Sequence, residues 1–237
     1  MDGFTYHDIF QTKGIEYLII IAFLMLIIPF WIVLNKRREI GVQIFRAAAF
    51  TLDLLKVPLG VRFSRNHTWT YMDKSGAVEV GLDEFLVQLT GSVRFSALKG
   101  EGEEITKGGL LAEIGHEGKM LKVPSPVSGR IIAVNPLLED PAAIQQDACG
   151  KGWIYRIEPM NWAAETGQDY IGEQAVGWFG SELKRLKDFI AVTAARHRGD
   201  GMPVVLQEGG ELQNHPLSGL PPEVWQDFQK EFLENED

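Results

Sequence analysis

Cysteine is nearly missing from this chain: Cys149 stands alone among 237 residues. A lone thiol closes no internal disulfide and supplies too few ligands for an iron–sulfur cluster or a structural zinc site. The five histidines, His7, His67, His116, His197 and His215, are scattered, and no two fall at the i, i+4 spacing that would share one helix face. No Cys-x-x-Cys-His occurs, which excludes covalent c-type haem attachment. Ser–His–Asp, His-Glu-x-x-His and phosphate-loop patterns are missing as well. Basic residues are outnumbered, 23 Lys and Arg against 32 Asp and Glu, for a net charge of -9. Without a broad basic surface to neutralise phosphates, a general nucleic-acid binder is excluded. There is no low-complexity tract and no repeat of solenoid period. These absences lead to the expectation of a non-enzyme that holds no metal and no cofactor and carries no electrons alone.

What is present first is an uncharged run, Tyr17 to Leu34. About 18 residues at 1.5 Å each reach roughly 27 Å, against a hydrocarbon core of about 30 Å. Tyr17 and Trp31 lie near its two ends, where amphipathic rings favour an interface. Pro29 removes one backbone donor and kinks the last turn. Asp2, Asp8 and Glu16 precede the run, and Lys36-Arg37-Arg38 follow it. A cleavable signal peptide has the reverse arrangement, so a retained anchor is expected. Flanking Lys and Arg stay on the cytoplasmic side. The expectation is therefore a single-pass protein of the cell inner membrane, N-terminus outward, with everything after Arg38 cytoplasmic and the lipid bilayer as one partner. Ile40 to Leu55 carries apolar residues at mixed helical spacing (Ile44, Ala48, Leu52, Leu55), interrupted by Arg46 and Asp53. It reads as a juxtamembrane helix that Pro58 ends.

From Val61 to Pro159, short strand patterns alternate with glycine-rich turns, the mark of a small β-barrel or sandwich. Trp153, Tyr155 and Ile157 fall on one face at period two, and Val93 to Ala97 alternates likewise. Leu82, Phe85, Leu86 and Leu89 are spaced for a short helix between strands. His67 and Trp69 sit on an expected strand, packing or hydrogen-bonding within the barrel. Cys149, in a glycine-rich loop, reads as a partly buried inert thiol.

Gly115 to Gly129 resembles the hairpin of lipoyl and biotinyl carrier domains, with Pro126-Val127-Ser128-Gly129 opening the return half. The wider region is similar to the H protein of the glycine cleavage system, a lipoyl-carrier fold. Asn66-His67-Thr68-Trp69 resembles that family's His-Glu-Trp strand, and Val80-Gly81-Leu82-Asp83-Glu84-Phe85 its Val-Gly-Ile-Thr-Asp-Tyr segment. Leu89-Thr90-Gly91-Ser92-Val93, Val134-Asn135, Leu138-Glu139-Asp140-Pro141 and Gly150-Lys151-Gly152-Trp153-Ile154 follow in the family's order. The resemblance implies a barrel-sandwich hybrid of two small packed β-sheets.

The family's Glu-Ser-Val-Lys-Ala loop is where this sequence departs. The equivalent positions are Gly115, His116, Glu117, Gly118 and Lys119, so the carrier lysine's slot holds Gly118 and the nearest lysine comes one residue late. A shift of one residue redirects a side chain, because successive side chains of a strand point to opposite faces. The glycines flanking His116-Glu117 also soften the tip. Lys119 is then either a modified lysine after a one-residue contraction, with Lys119-Met120 similar to the biotinyl Met-Lys-Met, or an ordinary turn residue. His116 beside Glu117 is a metal or partner contact at most, and polar surface otherwise.

After Pro159 the pattern turns helical. Phe179, Leu183, Leu186 and Ile190 form one face of an amphipathic helix ending near Arg198-Gly199, while Lys184, Arg185, Lys187 and Asp188 face away. Pro221-Pro222 starts a short second helix with Val224, Trp225, Phe228 and Phe232 on one side. Either the barrel's own flank or a partner subunit must cover those aromatics. The expected fold class is thus a mainly β barrel-sandwich hybrid with one N-terminal transmembrane helix and a C-terminal helical extension. Its divisions are residues 1–15, a short outer N-terminus; 16–35, the membrane helix; 36–57, the juxtamembrane helix; 58–165, the H-protein-like domain; and 166–237, the extension. The function expected is that of a cofactor-free accessory subunit of a membrane-bound respiratory or electron-transfer complex, with other subunits of that redox complex as partners. The alternative is a tethered lipoyl carrier modified at Lys119. Export adaptors of the membrane-fusion class also join an anchor to a lipoyl-like domain, but they insert a long helical hairpin that this sequence lacks.

Overall fold

The structure, a computed structural model, describes residues 9–35, 55–96, 98–196 and 215–234. The chain divides into two units, residues 1–41 and 42–237.

The first unit is built on one helix, α1, Ile9–Asn35, with Pro29 inside it. Side chains from residue 17 to residue 30 are all exposed, apolar ones included. Among the described residues no helix is long and apolar enough to cross a membrane. The juxtamembrane helix expected over 36–57 lies outside the described residues except at its end. There Leu55 to Val57 are not helical, and Leu55 is buried against the second unit's core.

The second unit carries two antiparallel sheets. Its strands are β1 (Arg62–Phe63), β2 (Thr68–Met72), β3 (Val78–Leu82), β4 (Arg94–Ser96), β5 (Glu104–Ile105), β6 (Leu110–His116), β7 (Lys119–Pro124), β8 (Gly129–Val134), β9 (Trp153–Pro159) and β10 (Tyr170–Ile171). The larger sheet runs β10-β1-β2-β3-β9-β8-β5 and the smaller β4-β6-β7. Alternation sends Leu121, Val123 and Ile131 into the core while Met120, Lys122, Arg130 and Ile132 face out. Trp69, Leu111, Ile114, Val127 and Ile157 complete the layer between the sheets. This is the mainly β sandwich expected from the strand patterns. The Pro-Val-Ser-Gly turn ends in glycine for a local reason: a Cβ on Gly129 would collide with the Glu158 carbonyl across the β8–β9 pair.

Three details differ from the sequence expectation. His67 is not on a strand but in the turn before β2, at φ 57, a left-handed backbone that a non-glycine residue rarely adopts. Ile154 is as fully buried as Tyr155 and Ile157, while Trp153 is only half-buried. The second face of β9 is covered at Ile154 but opens at Glu158, so the one-sided pattern holds only toward the strand's end. β10, placed by the sequence in the C-terminal extension, pairs with β1 and belongs to the larger sheet.

Helices fill the edges. α2 (Glu84–Thr90) is capped by Asp83, whose Oδ1 accepts from the Leu86 N–H at 2.8 Å. α3 (Pro141–Gln146) and α4 (Trp162–Glu165) are short connectors. α5 (Glu173–Arg196) is the amphipathic helix read from Phe179, Leu183, Leu186 and Ile190, all of them buried. α6 (Pro222–Phe228) continues into a π-helical turn, Gln229–Leu233. Trp225, Phe228 and Phe232 are at most 1% exposed. The chain's own fold covers these aromatics, with Phe189 of α5 at 5.6 Å from Phe232, so they offer no open surface to a partner.

Candidate functional site

The hairpin joining β6 to β7 turns in two residues. Glu117 at φ 47 and Gly118 at φ 83 are both left-handed, and His116 pairs with Lys119 across the turn. Two-residue hairpins favour this arrangement because its twist matches the strands, and glycine meets it without steric cost. A Cβ added to Gly118 would meet nothing within 4 Å, so backbone angle and not space selects glycine there. Gly118, which the sequence reading set opposite a carrier lysine, is therefore part of the turn itself. Lys119 is the first residue of the return strand.

Lys119 is neither an ordinary solvated turn residue nor presented at the tip. Its Nζ donates to the Ser218 carbonyl, lies 3.4 Å from the Leu220 carbonyl, and sits over the Trp225 ring at 5.4 Å from the centroid. His116 is tied as well, its Nδ1 donating to the Ser92 carbonyl at 2.8 Å, with Nε2 3.8 Å from Glu117. Among the described residues, no group of three or more His, Cys, Asp or Glu side chains is disposed to hold a metal. On the hairpin's outer side a groove of about 1120 Å³ is lined by Arg94, Phe95, Leu98, His116, Met120 and Leu138, among others.

A second cluster, centred on His67, lies beneath the C-terminal helices, and the sequence reading paired none of its members. The His67 ring is fully buried, stacked between Phe85 at 4.6 Å and Trp178 at 5.1 Å. Nδ1 donates to Asp83 Oδ2 at 2.8 Å. Nε2 lies 3.5 Å from Glu182 Oε2, an ion-pair distance that makes no hydrogen bond of good geometry. Glu182 is held in turn by Arg185 at 3.0 Å, and Arg185 lies over Phe232 at 4.1 Å. Burial alone would push the imidazolium pKa down. The charge and hydrogen bond of Asp83, and then Glu182, outweigh it and raise the pKa to about 9. Burial pulls the Glu182 carboxyl up, but His67 and Arg185 overcome it and leave it below the usual range. An imidazolium with no solvent exposure and two carboxylate neighbours has no route to a substrate; the cluster clasps α5 to the barrel. Its sequence signal was weak, since Asp83 and Glu182 stand on other elements, away from His67 in the chain.

Glu84, the first residue of α2, accepts the Lys56 N–H at 2.7 Å. Burial raises its carboxyl to about 7 against the pull of Lys56. Cys149 is buried nearby, and burial together with the Glu84 and Asp83 charges pushes its thiol well above the ordinary range. That environment keeps the thiol protonated, in keeping with an inert cysteine.

A seven-stranded and a three-stranded antiparallel sheet with a two-residue β6–β7 hairpin agree with the lipoyl-domain fold that the resemblance implied. The glycine cleavage H-protein family model matches residues 61–175, and the chain belongs to that family. It is similar to the glycine cleavage system H protein of Shewanella putrefaciens, 32% identical over 125 residues, which cover 51% of this chain and 95% of that protein. The corresponding protein of Shewanella denitrificans is 31% identical over 125 residues, 49% of this chain and 97% of its own. A crystal structure of the H protein from Mycobacterium marinum aligns at a TM-score of 0.46 with 26% identity, over 52% of this chain and 99% of that one. The family match leaves α1, most of α5 and everything beyond it outside.

Proposed function

We propose that this chain is a membrane-anchored, cofactor-free member of the H-protein family, acting as a docking subunit on the cytoplasmic face of a membrane-bound respiratory or electron-transfer complex. The observation that carries the reading is the hairpin. Gly118 occupies the turn where a carrier needs its amine, and Lys119 spends its amine on the carbonyls of the chain's own C-terminal segment and on Trp225. A carrier lysine must instead be presented outward to the attaching enzyme and then swing. Support for the anchor comes from the uncharged run Tyr17 to Leu34, with acidic residues before it and Lys36-Arg37-Arg38 after it. The choice of a redox complex is by analogy, since a fold does not specify a function.

The second reading keeps the family's chemistry: a tethered carrier lipoylated at Lys119. Its support is that the relatives are glycine cleavage system H proteins, a lipoyl-carrier family. Intact-mass measurement of the protein purified from its native membranes separates the two. The expected result is the mass of the polypeptide with no acyl adduct on lysine. A lipoyl increment mapped by peptide sequencing to Lys119 overturns the cofactor-free reading and establishes the second.

A further inference from the structure

β7 is an edge strand of the smaller sheet, and an edge strand offers a row of backbone groups to any neighbouring chain. Here the chain's own C-terminal segment meets that strand at two points. At the base, Gln229 imitates a strand: its Oε1 accepts the Lys122 N–H at 2.7 Å and its Nε2 donates to the Lys122 carbonyl at 2.9 Å. At the tip, the Lys119 ammonium is gripped by the Ser218 and Leu220 carbonyls and the Trp225 face. The turn that presents those carbonyls is itself pinned. Leu217 N–H donates to the Leu89 carbonyl at 3.1 Å, His215 Nδ1 to the Gln88 carbonyl at 2.9 Å, and Trp225 Nε1 to the Leu217 carbonyl at 2.7 Å.

From these contacts we infer that residues 215–234 form an intramolecular cap on the hairpin, with Lys119 as its anchor, covering the β7 edge at Lys122 and holding the Lys119 amine away from any enzyme or partner strand that must engage them. The cap ties two points of the hairpin to α2 at once. A lysine at position 119 meets two carbonyls and an indole face, three acceptors for one ammonium, an arrangement that methionine or glutamine cannot reproduce. The inference rests on the contacts of residues 215–234 and goes beyond the cofactor-free reading.

Two measurements on the full chain in detergent test it. In the unaltered protein, acetic anhydride labelling followed by peptide mass spectrometry reads lysine accessibility. Lys119 is expected to react about tenfold more slowly than Lys74, which is exposed. Labelling of Lys119 at the rate of Lys74 overturns the cap without any mutation. In Lys119→Met, amide hydrogen exchange across residues 215–220 is expected to quicken by about tenfold, while β2 and β3 stay protected and report a folded barrel. Lys119→Arg, which keeps a cation over Trp225, restores most of the protection. Unchanged exchange in Lys119→Met overturns the anchoring role. A lipoyl increment on Lys119 would overturn both the proposed function and the cap, since an acylated lysine has no ammonium to anchor it, whereas unchanged exchange in Lys119→Met overturns the cap alone.

Discussion

His67 shows how one buried side chain can tie an extension to a domain. Its ordinary pKa of 6.5 rises to about 9 in the fold, because Asp83 and Glu182 flank a ring with no exposure. The folded state therefore binds the proton more tightly than the unfolded chain. The stabilisation is fully present below pH 6.5 and is lost as pH climbs through about 9. Glu182 has the opposite sign. Its lowered pKa contributes stability above its ordinary 4.5 that disappears as acid protonates it. The clasp is strongest between these limits. Chemical-denaturation midpoints from pH 6 to 10 are expected to fall in the unaltered protein, by about 2–4 kcal/mol in total, with a flatter profile in His67→Gln. Parallel profiles for the two proteins would show that His67 is not the titrating group. Near pH 6, Glu182→Gln is expected to cost about 2–3 kcal/mol, less than a fully desolvated pair because Arg185 is partly exposed.

Among the elements, the β6–β7 hairpin and the terminal π-helical turn depend on each other. β7 alternates cleanly, Leu121 and Val123 inward, so its in-plane edge is left for backbone hydrogen bonding. Gln229 supplies that bonding from a helix, which a strand pattern in the sequence cannot announce. Gln229→Ala removes both bonds from a half-open site, and a loss of about 1–2 kcal/mol is expected. Faster hydrogen exchange at the Lys122 amide, with the Leu121 and Val123 amides little changed, is the measurement that checks it. Equal exchange in the variant and the parent would mean that water replaces Gln229 without cost.

At the scale of the whole molecule, the family domain accounts for about half of the chain, and both additions lie outside it. The N-terminal addition carries the proposed anchor. Single cysteines introduced at Gly3 and Gly199, in a Cys149→Ser background, are expected to label from opposite sides of sealed cells, with Gly3 reached from outside by an impermeant reagent. Gentle detergent extraction from native membranes is expected, on the proposed function, to bring down haem-, flavin- or iron–sulfur-containing chains with this one. Labelling of the Gly199 site from outside would reverse the topology. A stable monomer without redox partners would leave a bare tether.

The β-sandwich, the short helix at 84–90 and the amphipathic α5 were legible in sequence because each depends on local periodicity and on turn residues whose backbone demands are their own. The glycine at 118 was legible in the same way, as a departure within a recognisable hairpin. What required the tertiary structure was every contact between segments far apart in the chain. Residue spacing places Trp225 and Phe232 on one helix face, but it carries no information about which surface that face meets. The fold supplied the answer, α5 and the barrel. The groups that hold Lys119 were invisible in sequence, because the Ser218 and Leu220 carbonyls stand 99 and 101 residues further along. His67 looked like a strand residue because a strand follows immediately; its left-handed backbone and its two acidic partners arise only when α2 and α5 close over it. Local pattern determines elements, since it depends on neighbours within a turn or a strand. Burial and charge pairing between elements are properties of the folded chain, and here they decide how the carrier hairpin is held.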